Sequence, residues 1–454
     1  NTGKFPYTQP SGGSRSPKDG SLKTITEALS RKPKTIYIIG GTYLDETDLS
    51  LDYNVEILSY KGQDVTIDLA DRHLGNTFTL NGTYGNVYQK SITATVTTAF
   101  EDNYLKWFNQ VGTLLLCSTT EGSLFYSGGV LYINPINSDI NAITVVIPTR
   151  SGFSTPLPAI DGLGTFTRTA SNVNISGITT QYALTHGFEL QNVNFNLFAC
   201  KSYGNTSNGF YFVDSFGTAK GCKGSYNDGD GFNIHAFDDQ RGSYVDLIDC
   251  VGNDNYGIGQ GNDGVSYHEF CNGRITGGEY LRNTKYDIIH VQTAVVNHYN
   301  LKCGTLYNDM SGTVNDIINL QLMNIIADDI TVKSNNPIVT IDILDCISPK
   351  ITLDGLGTIN GNLIKNKTAL LELKSDGTNS IIDNKIKGGY GIDMRKSVSN
   401  FDGNNILDSN FGFIKTGGTA TMISNNLYGN TTNYSGSDPV TSAEQAKNVS
   451  FLNV

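Results

Sequence analysis

HGFELQ (186–191), NGFYFV (208–213), DGFNIH (230–235), DGVSYH (263–268) and KYDIIH (285–290) are drifting copies of one six-residue phrase. Their starts lie 22, 22, 33 and 22 residues apart. Self-similarity at such a period reads as a stack of short units, each of which buries its apolar face against its neighbours. The third and fifth positions, Phe188 and Leu190, Phe210 and Phe212, Phe232 and Ile234, Val265 and Tyr267, suit an interior, as does Ile289; Asp287 alone does not. Alternation along a strand then turns the fourth and sixth positions outward. With coils stacked about 4.8 Å apart, the sixth positions form a vertical ladder: Gln191, Val213, His235, His268 and His290. Three of the six histidines share that stripe.

The 33-residue step contains two insertions. Cys200, Cys222 and Cys250 precede successive phrases at equivalent places and serve as markers. Measured from them, 6 extra residues follow DGFNIH and 5 precede DGVSYH, within AFDDQRGSY and YGIGQGND. These loops flank the strands carrying His235 and His268, and loops at the edge of a rigid stack are where binding and catalysis concentrate.

Candidate site residues follow from that placement. His235 and His268 are expected roughly 5 Å apart on adjacent coils. Two rings that close resist joint protonation, which lowers at least one pKa towards a useful base; the bland reading is a stabilising polar ladder. Glu269, with Asp238 or Asp239 from the adjoining loop, supplies the two carboxylates of a glycosidase. Arg241 offers a planar clamp for a sugar carboxylate, or a loop ion pair. Tyr211 is the expected stacking platform for a sugar ring. Glu189 and Asn233 are outward groove-floor candidates, and Asp263, Tyr267 and His290 complete the substrate-facing set. Asp230 and Asp263 also fit plain Asp-Gly turns. YNDGDG and GQGND together could hold a cation, but no complete calcium loop and no Cys or His pair closely spaced in sequence is present, so neither a metal nor a cofactor is expected.

Composition bounds the rest. The chain has 454 residues, 50 of them Gly, and a formal net charge of −11. Phosphate binding needs clustered Lys and Arg, so nucleic acid is not the expected partner. No stretch is long and apolar enough to span a bilayer, so no membrane insertion is expected, and no secretory leader is read at Asn1. The seven Cys are scattered rather than arranged as a disulfide framework. Buried, reduced thiols are expected, as suits folding in a reducing cytoplasm.

In chain order, residues 1–20 read as an irregular lead and 21–71 as a capping helix followed by first coils. Leu22, Ile25, Ala28 and Leu29 give that helix one apolar face. Residues 72–158 break the rhythm with longer hairpin-like strands and read as an inserted β-rich module that either walls a groove or only stabilises. Coils resume over 159–435, and 436–454 is a polar tail.

The segment SPKDGSLKTITEALSRKPKTIYIIGGTYLDE (16–46) resembles the entrance of pectate-lyase-like right-handed parallel β-helix proteins. With the coil phrases, it resembles a bacteriophage tailspike, the capsule- or O-antigen-degrading class. The resemblance implies an all-β fold: a right-handed parallel β-helix (solenoid) with an N-terminal capping helix and a small inserted module. It further implies a homotrimer in the virion tail beside other tail proteins, acting extracellularly on a bacterial surface polysaccharide. Three functions compete. An endo-glycoside hydrolase using Asp/Glu chemistry leads because carboxylates crowd the inserted loops. A polysaccharide lyase or C5-epimerase with a histidine base is second, and a non-enzymatic glycan-binding spike third.

Overall fold

The computed structural model describes residues 22–451 except 23, 45, 48, 102–105, 137–138, 157–170, 237–241, 257–260, 292–293, 311–317, 335, 337–338, 375–377, 396–397 and 437–448. The lead 1–20 lies outside the described residues. The chain is an all-β right-handed parallel β-helix, and it divides into two compact units. Among the described residues no helix is long and apolar enough to cross a membrane.

The first unit holds residues 1–215, 222–233 and 254–262. Its helix spans Ile25–Ser30 and starts where the Thr24 hydroxyl accepts the Glu27 N–H at 3.0 Å. The buried Glu46 carboxylate accepts the Ile25 and Thr26 N–H groups at 2.9 and 2.7 Å, so the first-turn donors are satisfied. Ile25, Ala28 and Leu29 turn inward, as their spacing requires.

Three parallel strand stacks follow. Thr35–Ile38, Val55–Ser59, Ser171–Ser176 and Val193–Phe198 form one. Gly41–Tyr43, Val65–Asp68, Ile178–Gln181, Lys201–Tyr203 and Lys223–Ser225 form the second. Phe153–Ser154, Phe188–Gln191 and Phe210–Val213 form the third. In-register pairing sets like side chains one above another. Phe153 on Phe188 and Phe188 on Phe210 stack at 5.6 and 4.9 Å between centroids, all fully buried. Each ring contributes about 1.5–3 kcal/mol of burial.

Between residues 70 and 148 the chain leaves the parallel pattern. Ala70–Leu74 pairs antiparallel with Thr144–Pro148, and Ser123–Ser127 with Val130–Asn134. Phe78, Phe108, Leu124, Leu131, Ile133 and Val145 give this excursion its own core. The hairpin turn falls on Gly128 and Gly129, with φ of 58° and 78°, the paired left-handed geometry that two-residue hairpins need.

The second unit holds 216–221, 234–253 and 263–454. One stack runs from Phe216–Lys220 and Tyr244–Ile248 to Thr419–Ile423, another from Val265–Tyr267 and Ile288–Val291 to Thr432–Ser435. Within the polar tail, Val449–Phe451 adds a parallel strand to Asn426–Tyr428. Coil after coil, one corner is turned by a single left-handed residue: Asp249, Asp345, Gly361, Asp383, Gly403 and Ser424. The next residue points inward. Early in the unit it is Cys250 or Cys346, and later Asn362, Asn384, Asn404 and Asn425. These asparagines link Nδ2 to Oδ1 at 2.9, 3.0 and 2.8 Å, a ladder that satisfies buried amides coil to coil. All seven cysteines are buried and none is in a disulfide.

Two expectations about the phrase need correction. Val265 pairs with Ile288, Ser266 with Ile289 and Tyr267 with His290. The fifth phrase therefore begins at Tyr286 rather than Lys285, and a one-residue slip exchanges the two faces of a strand. His290 consequently faces inward and is fully buried. Asp287 takes the place of Gly264 and is tied by Asn283 and Thr305 N–H groups at 3.1 and 2.8 Å. Gln191 and Val213, expected outward and exposed, are 7% and 4% exposed; Thr155 covers Gln191, exchanging hydrogen bonds with its backbone at 2.6 and 3.0 Å.

Candidate functional site

His235 ends the strand Phe232–His235, whose alternation sends Phe232 and Ile234 to the core and leaves the imidazole 34% exposed. His268 follows the strand Val265–Tyr267, and its N–H donates to the Ile234 carbonyl at 2.9 Å. That bond sets the second ring against the first: the centroids are 4.9 Å apart and the planes 25° from parallel. Glu269 then adopts a left-handed backbone with φ of 25°. The turn brings its carboxylate back, with Oε2 3.0 Å from His235 Nδ1. The Ala236 carbonyl oxygen lies 2.8 Å from the same nitrogen.

Both neighbours of Nδ1 are acceptors, which suits an N–H at that position. His268 is pushed down to about 4, by burial first and then by electrostatic coupling to His235 and Lys285. It is neutral near pH 7.

The remaining candidates divide. Glu189 is half-buried, burial raises its pKa, and the Gln191 amide donates to it. Tyr211 stacks on His186 at 4.4 Å, so one face of the expected sugar platform is already covered. The Asn233 amide donates to Asp230 Oδ2 at 2.7 Å. Asp263 is buried and accepts the Tyr286 N–H at 2.8 Å, which ties one coil to the next. Tyr267 is fully buried and donates to the Val245 carbonyl at 2.7 Å. His290 meets His298 at 2.8 Å between Nε2 atoms, both rings sealed in the core. Asp263, Tyr267 and His290, expected to face substrate, are thus buried rather than presented to solvent. Asp238, Asp239 and Arg241 lie outside the described residues.

Two residues next to the trio escaped the sequence reading. Phe270 is 37% exposed directly after Glu269 and offers an aromatic face. Lys285 is exposed and places positive charge near His268. The only sequence signal for either was adjacency to a phrase boundary.

No protein-family model and no curated protein sequence matches the chain. Among solved structures, "The complex structure of XylC with xylose" is similar over 89% of this chain and 80% of that one, at 9% identity and a TM-score of 0.42. A structure described as "Glycoside hydrolase" is similar over 94% and 95%, at 9% identity and 0.40. The Gp54 tailspike of Acinetobacter baumannii bacteriophage AP22, in complex with capsular saccharide, is similar over 90% and 76%, at 10% identity and 0.28. One fold hosts many chemistries, so function has to be sought in this chain's own side chains.

Proposed function

We propose that this chain is a polysaccharide-cleaving enzyme whose proton-transfer centre is His235, His268 and Glu269. The observation that carries the reading is the placing of Glu269 Oε2 at 3.0 Å and the Ala236 carbonyl oxygen at 2.8 Å from Nδ1 of His235. An imidazole oriented in this way accepts a proton at Nε2, and the carboxylate stabilises the imidazolium that forms. His268, neutral and 4.9 Å away, adds no competing charge.

This favours β-elimination on a uronate-containing bacterial surface polysaccharide over the hydrolase that led on sequence. His235 takes the proton from the carbon beside the sugar carboxylate. The C–H electrons become a C=C bond, the C–O bond to the leaving sugar breaks, and the leaving oxygen takes a proton from the His235 imidazolium or from solvent water. Lys285 is placed to offset the carboxylate's charge, and Phe270 to stack on a ring. Hydrolysis needs a second carboxylate; the described residues add none to the trio, and Asp238 and Asp239 are the residues that would supply it. An association of three chains in a virion tail belongs to the same proposal and rests on the resemblance of the sequence alone.

Purified protein incubated with a panel of capsular and O-antigen polysaccharides tests this. The expected result is new reducing ends together with the ultraviolet absorbance of an unsaturated uronate. Reducing ends without absorbance would move the reading to hydrolysis. Binding without either would leave a glycan-binding spike.

A further inference from the structure

We infer that His235, His268 and Glu269 form a binding site for a divalent transition-metal ion of the zinc class. A nitrogen from each ring and a carboxylate oxygen lie within 4.8 Å of one another, the one such gathering among the described residues. Donors around a tetrahedral ion with bonds of about 2.0–2.1 Å sit about 3.3 Å apart, so the separations would shorten by up to about 1.5 Å on binding. Two imidazoles and one carboxylate are the donor set of a zinc site that keeps its fourth position open. Calcium and magnesium take oxygen ligands, which this set does not provide in number.

The surroundings fit a prepared site. The Ala236 carbonyl stands 2.8 Å from His235 Nδ1 and helps to fix the orientation of that ring. The backbone bond from His268 to Ile234 fixes one ligand's strand end, and the left-handed Glu269 aims the third ligand at the other two. His235 and Glu269 are 34% and 22% exposed, which gives an ion an entry path and a bound ion an outward open position.

Binding does not depend on the proposed cleavage, but its consequence for cleavage rests on that reading. A bound ion would lower the pKa of a water at the open position, so that its hydroxide form, the proton having gone to solvent, could supply the base there.

The test is a titration of chelator-treated full chain with Co²⁺, read by visible ligand-field absorption, followed by Zn²⁺ competition. One ion per chain with intense bands, displaced by zinc, is expected. His235→Gln, His268→Ala and Glu269→Gln should each weaken binding at least about tenfold, with His73→Ala as a control that keeps the bands. Thermal melting identifies any variant that fails to fold. Absent bands, or bands unchanged in His235→Gln and His268→Ala, overturn the site. If glycan cleavage persists in chelator and no bands form, the metal inference fails and the proposed function stands. If bands form and no glycan in the panel is cleaved, the site stands and the function fails.

Discussion

Two histidine pairs lie close together in the second unit, and they differ in nearly everything that matters for chemistry. His235 and His268 stack at 4.9 Å with a carboxylate 3.0 Å from one of them, and solvent reaches the pair. His290 and His298 meet Nε2 to Nε2 at 2.8 Å, fully buried, with neither Nδ1 given a hydrogen-bond partner among the described residues. Asn308, in register with His290, is likewise buried without a partner for its side-chain amide. The difference teaches that residue type and spacing do not make a site. An imidazole becomes useful when one nitrogen is oriented and the other can meet a substrate. The same ring turned inward by one residue of register becomes a core residue whose neutrality is enforced.

The largest expected effect separates the pairs by activity. His235→Ala should lower kcat/KM for the cleaved polysaccharide by about 10²–10⁴-fold, the range of lost acid–base catalysis, with an unchanged melting temperature. His290→Gln should do the reverse, leaving kcat/KM near wild type and lowering the melting temperature. Parallel turnover and thermal-melt measurements decide it, and equal losses of turnover in both variants would erase the distinction.

Acid titration reads the sealed pair by stability. Burial holds His298 down to about 3, and burial with the field of His298 holds His290 well below its usual value. In the unfolded chain both titrate near about 6.5. Because the folded values are depressed, the unfolded state binds the extra protons, so this contribution is complete above pH ~6.5 and is lost as the pH falls towards the folded values. Each histidine removes about 1.4 kcal/mol per pH unit across that window. Melting temperature should therefore fall from pH 6.5 to 4, and the slope should relax in His298→Gln.

Tyr267 stands between the two environments, packing on the His290 ring at 5.2 Å and directly preceding His268. Tyr267→Phe strips the donor from the buried Val245 carbonyl and should cost about 1–3 kcal/mol, measured by denaturant melts. A loss of kcat with no loss of stability would mean that the tyrosine acts on the open pair and not on the core.

The smallest effect concerns Glu269. Its φ of 25° is a conformation that glycine adopts freely. Glu269→Gly should stabilise the fold by up to about 1 kcal/mol while losing activity. A destabilised and active variant would show that the carboxylate serves the fold instead.

The phrase periodicity made the coils legible, because apolar residues recurring every second position leave few other arrangements. The register of the last phrase was not legible from its terminal histidine. Its Gly position is filled by Asp287, and the warning lay in an acidic residue falling at an inward place. Cys200, Cys222 and Cys250 announced one corner of the coil. The asparagines that take over that corner at 362, 384, 404 and 425 were hidden in a composition where Asn is ordinary turn chemistry. His235, His268 and Glu269 could be named from sequence, but their meeting could not be read there. It depends on a hydrogen bond between coils and on one left-handed residue after the strand.

The most direct test of the trio as the working centre is the steady-state kcat/KM of wild type, His235→Ala and His290→Gln on one cleaved polysaccharide, each followed by reducing ends and ultraviolet absorbance. The account predicts an unsaturated product whose rate collapses only in His235→Ala. Normal turnover in His235→Ala would contradict it and send the search to Asp238 and Asp239.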